Sequence, residues 1–67
     1  SNMQMTKETF IKVFSHVGIK EHIELEFEKL KEYPSQDMVE LDVVDLEIIL
    51  ENLSSSIFKS LDAIAII

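Results

Sequence analysis

Apolar residues recur along this chain at helical spacings. Phe10, Val13, Phe14 and Val17 fall at i, i+3, i+4 and i+7, one stripe of a helix. The spacing predicts a first helix from Thr6 to Val17. Thr6 can cap it, and Glu8 lies in the first turn, where the helix dipole favours a negative charge. Gly18 then stands where a left-handed C-cap is usual. Ile19, Ile23, Phe27 and Leu30 share the face of a second helix, in which Glu28 can pair with Lys31. Pro34 pushes Tyr33 out of the helical region and ends that element.

Residues 39–53, VELDVVDLEIILENL, admit two readings. Their first ten positions nearly alternate between apolar and acidic, as in a strand. Val39, Leu41 and Val43 would share one strand face, but Val44, Leu46 and Ile48 fall on the other, and no partner strand is evident. Val39, Val43, Leu46, Leu50 and Leu53 form a helical seam spaced four, three, four, three. Asp37 and Glu40 resemble a capping box at its start. A third helix is the expectation. Ser54 to Ser56 interrupt the pattern, and Ile57, Leu61 and Ile64 mark a short last helix. The expected fold is all-α, a small three- to four-helix bundle over residues 6–67. Residues 1–5 are set aside as a tag remnant and disordered N-terminus.

Composition supports a helical fold. A chain of 67 residues forms one domain and buries only about 60% of its unfolded surface. One glycine and one proline are too few for a turn-rich β fold, and without cysteine no disulfide is available. The net charge of −7 argues against nucleic acid and favours a protein partner with a basic patch. No apolar run reaches the roughly 20 residues a membrane span needs, so the expectation is a cytoplasmic protein without a membrane partner.

Little in the chain points to catalysis. His16 and His22 lack the further ligands a metal site needs, and no metal is expected. There is no glycine-rich phosphate loop, and the carboxylates lie on segments expected to be solvated. No catalytic residue is assigned and the chain is expected not to be an enzyme. The third helix is apolar nearly all round, with Leu41, Val44, Ile48 and Ile49 beyond its seam. Its acids Glu40, Asp42, Asp45, Glu47 and Glu51 have no basic partner at helical spacing, and they are the candidate partner-binding residues. The end of the chain, Ala63 to Ile67, has no polar residue and could drive a homodimer.

The stretch Leu41-Asp42-Val43-Val44-Asp45-Leu46, followed by Leu50-Glu51, resembles the recognition helix of acyl carrier proteins. Thr6 to Ile19 and the tail SLDAIAII are similar to that family's first and last helices. The resemblance covers about two thirds of the chain and is specific over about twelve residues. It implies a helical bundle presenting Asp42, Asp45 and Glu51 to basic patches on partner enzymes. It departs at the attachment serine, where this chain has Glu40, and a carboxylate cannot take up phosphopantetheine as a hydroxyl does. A second register puts Ser35 at that position, after a proline in place of aspartate. The resemblance thus implies an interaction domain without the arm, or with phosphopantetheine on Ser35. The runner-up is a small acidic helical protein that dimerises or masks a basic partner. Phe27 to Ser35 is similar to a stretch of nuclease-colicin immunity proteins, although their paired tyrosines are absent.

Overall fold

The computed structural model describes residues 2–65, with side chains through residue 57 and that of Lys59. Strand β1 (Met3–Thr6) runs directly into helix α1 (Lys7–Phe14). Helix α2 (Lys20–Leu30), strand β2 (Met38–Leu41) and the long helix α3 (Val43–Ala65) follow. The strands pair antiparallel, with Met3 opposite Leu41, Gln4 opposite Glu40, Met5 opposite Val39 and Thr6 opposite Met38. The described residues therefore form an α/β mixture of three helices and a two-stranded sheet, and the all-α expectation is corrected.

The correction turns on residues 38–41. Val39 and Leu41 are buried while Met38 and Glu40 are exposed, the period of two that belongs to a strand with one face on a core. The partner strand lies within Met3–Thr6, mostly residues that the sequence reading set aside. Its own alternation puts Met3 and Met5 on the face of Val39 and Leu41, and Gln4 and Thr6 on the outer face.

The third helix accordingly starts four residues later than its pattern suggested. Asp42 caps it, and its carbonyl accepts the Leu46 N–H at 3.1 Å. Asp45 N–H donates to Asp42 Oδ1 and Asp42 N–H donates to Asp45 Oδ2, both at 2.9 Å. This is a reciprocal capping box between positions three apart, built on Asp42 and Asp45 rather than on Asp37 and Glu40. With Val39 in a strand, the seam drawn through it has no basis. Ile49 and Leu53 are buried and Leu46 half-buried, whereas Val43 and Leu50 face solvent. The helix also runs on through Ser54 to Ser56 without a break. Serine costs a helix only about 0.5 kcal/mol per residue, and Leu53 just before the serines is buried in the core. The expected short last helix is part of α3. The apolar end thought to drive dimerisation lies outside the described side chains.

The first two helices follow their patterns in part: α1 ends at Phe14 rather than Val17, and Val13 and Ile19 of the two stripes are exposed. Thr6 caps α1 by accepting the Thr9 N–H at 3.3 Å. Phe10 and Phe14 are buried, with ring centroids 4.7 Å apart, and Phe27 of α2 meets Phe10 edge-on at 5.3 Å. These rings, Ile23, the inner sheet residues Val39 and Leu41, and Ile49 and Leu53 of α3 make one core. Gly18 does not adopt a left-handed conformation. A Cβ placed on it would lie 3.0 Å from Leu53 Cδ2, so the glycine supplies room between the α1–α2 turn and α3. Helices α2 and α3 are tied by Glu26, the one charged residue buried among those described. Its carboxylate accepts from Lys29 Nζ at 2.7 Å and from Asn52 Nδ2 at 3.0 Å. Among the described residues no helix is long and apolar enough to cross a membrane.

Candidate functional site

Charge is distributed unevenly along this chain. Residues 32–51 hold seven carboxylates (Glu32, Asp37, Glu40, Asp42, Asp45, Glu47 and Glu51) and no lysine, arginine or histidine. The other six acids are matched by six lysines, so the whole net charge of −7 lies in that segment. The ion pairs follow the same division. Lys7 meets Glu24 at 3.3 Å, Lys29 meets Glu26 at 2.7 Å and Lys31 meets Glu28 at 2.9 Å. Every pair among the described residues thus involves α2 or the turn after it. None involves an acid of β2 or α3.

The fold separates the five acids that the sequence grouped on one helix. Asp42 and Asp45 are engaged in the capping box. The N–H of Asp45 holds the Asp42 carboxyl below its ordinary value, against the opposing effect of desolvation. Asp42 is therefore charged under ordinary conditions and bound to its own helix. Glu40 points from the outer face of the sheet, across from Gln4. Glu47 and Glu51 stand one turn apart on the exposed side of α3. The side chains of Glu40, Glu47 and Glu51 make no hydrogen bond or ion pair among the described residues.

Two surfaces result. On α3, exposed Val43, Val44, Ile48 and Leu50 flank Glu47 and Glu51, and Val44 and Ile48 are one turn apart. Beside the sheet, a cavity of about 500 Å³ is lined in part by Glu32, Tyr33, Ser35, Asp37, Met38 and Glu40. Gln36 shapes its rim, accepting the Glu32 N–H at 2.7 Å and donating to the Met38 carbonyl at 2.6 Å. Tyr33 and Met38 are about half exposed there. Carboxylates with an accessible ring suit an organic cation such as a lysine or arginine side chain. Sequence reasoning assigned no binding role to Glu32, Asp37 or Tyr33. The signal was present as an unbroken run without a basic residue from Glu32 to Phe58.

The structure places both candidate attachment positions away from a helix start. Glu40 is in a strand. Ser35 is an exposed loop residue after Pro34, and all of β2 separates it from α3. Neither position puts a hydroxyl at the head of the third helix, so these residues do not fit a phosphopantetheine arm in the register that the resemblance requires. Among the described residues no cluster of histidine and acidic side chains could hold a metal ion.

No family model, no curated protein and no solved structure matches this chain.

Proposed function

We propose that this chain is a non-catalytic protein-interaction domain whose β2–α3 face docks a basic protein partner. The observation that carries the proposal is the confinement of the whole net charge of −7 to residues 32–51, with Glu40, Glu47 and Glu51 unpaired. Unpaired carboxylates of one sign on an exposed face build a field that steers a cation-rich partner and favours fast, salt-sensitive encounter. Exposed Val43, Val44, Ile48 and Leu50 add apolar area that an acidic face alone would lack. This is the interaction half of the acyl-carrier resemblance, without a covalent arm. The proposed setting is the cytoplasm.

The test is a nitrogen-edited NMR titration with an arginine-rich peptide at low and at physiological salt. Shifts concentrated at Glu32–Glu51, weakened severalfold by salt and by Glu47→Gln with Glu51→Gln, are expected. A control, Glu8→Gln with Glu21→Gln, should bind as the parent does. Shifts centred on α1 and α2, or equal losses in both double variants, would remove the proposal.

A further inference from the structure

Strand β1 is an uncharged edge on an acidic molecule. Residues 1–6 carry no charged side chain. One side of β1 pairs with β2, and among the described residues no other backbone–backbone hydrogen bond reaches Met3–Thr6. Natural edge strands avoid pairing by being very short or by carrying lysine, proline or a bulge, and of these devices β1 has only its shortness, at four residues. Met-Gln-Met-Thr has neither residue, and its register with β2 runs without a bulge.

We propose that β1 is a self-association edge, on which two copies of this chain join antiparallel into a four-stranded sheet of order β2-β1-β1-β2. With Gln4 on the two-fold axis, Met3 of each copy stands opposite Met5 of the other. Residues directly opposite share a face, so the methionines continue the inward row of Val39 and Leu41, and Gln4 stays outward. The strand is complementary to itself in that register, as a closed two-fold contact requires. The absence of charge on this edge disfavours a charged foreign strand as its partner. A basic partner finds nothing to read on an uncharged edge. Two chains of net charge −7 meet here with little repulsion. Glu40, the acid nearest the joint, would stand about three strand spacings, roughly 14 Å, from its counterpart, against a Debye length of about 8 Å at physiological salt. Met3, 40% exposed in the single chain, gains cover. The joint is small, so the dimer is weak. It leaves both acidic faces free and would bind a repeated basic partner at two points.

Sedimentation equilibrium from about 10 µM to about 1 mM tests this, the range where a contact of this size is expected to form. The parent should pass from monomer to dimer, and the dimer should strengthen with salt, as screening of like charges requires. Gln4→Lys places two lysines on the axis, while in each copy the lysine faces Glu40, an opposite-charge pair that supports the hairpin. The variant should remain monomeric at about 1 mM with an unchanged or higher urea midpoint. Amide exchange at Met3–Thr6 should slow with concentration in the parent alone. A parent that stays monomeric overturns the proposal, as does a dimer that Gln4→Lys leaves intact.

Discussion

Gly18→Ala tests whether the glycine is required for space or for backbone conformation. Its φ is not in the left-handed region, so alanine meets no strain there. Restricting the unfolded chain would then stabilise by about 0.4–1 kcal/mol. Against this, the new methyl would stand 3.0 Å from Leu53 Cδ2 and 3.3 Å from Cδ1 and Cβ, where contacts of about 3.5–4.0 Å are optimal. Leu53 is 1% exposed and has little freedom to retreat. Overpacking of this kind costs about 1–3 kcal/mol. The net expectation is a loss of about 0.5–2 kcal/mol, a visible fall in the urea midpoint by circular dichroism. The decisive comparison uses Leu53→Val, which removes the nearest methyl contact at a cost of roughly 1 kcal/mol. In that background Gly18→Ala should become neutral or stabilising, a coupling of at least about 0.5 kcal/mol. An equal loss in both backgrounds would refute the steric account.

Two further outcomes follow from the capping box and the buried carboxylate. Because the folded pKa of Asp42 is depressed, its contribution is present above the ordinary value of 3.8 and is lost as pH falls through the lower folded value. Asp42→Asn should therefore lower the melting temperature at neutral pH, and the gap from the parent should close in acid. A gap that is constant with pH would show that the charge is irrelevant. Glu26→Ala strands Asn52 Nδ2 at the α2–α3 contact and should cost about 1–3 kcal/mol, against under about 0.5 kcal/mol for exposed Glu21→Ala. Equal urea midpoints for the two would exclude a structural role for the tie.

The helices were legible where a stripe of large apolar side chains met a cap. Thr6, Phe10 and Phe14 specify α1, and Ile23 and Phe27 specify α2, through contacts at helical spacing. Strand β2 was not legible, although Val39-Glu40-Leu41 alternates, because a strand is defined by its partner. That partner is four residues long and lies more than thirty residues away. A stretch as short as Met3–Thr6 shows too few alternations to stand out. The serines misled for a different reason. Their propensity is a local penalty, whereas Leu53 just before them is held by the core. Of the candidate surface, the acids were legible as residue types, but their division between cap, sheet and helix depended on where α3 begins.

The pairing of β1 with β2 also orders events in time. Of the two strands, β1 leaves the ribosome before β2 and has to wait for a partner about thirty residues behind it, while α1 and α2 between them can already close on Phe10, Phe14 and Phe27. Closing an open loop of that length would cost about 3 kcal/mol of chain entropy. A preformed helical hairpin shortens the effective loop and brings the strand ends together. During synthesis, then, the nascent chain carries an unpaired Met-Gln-Met-Thr segment until Leu41 has emerged, and in that interval it is most exposed to other chains.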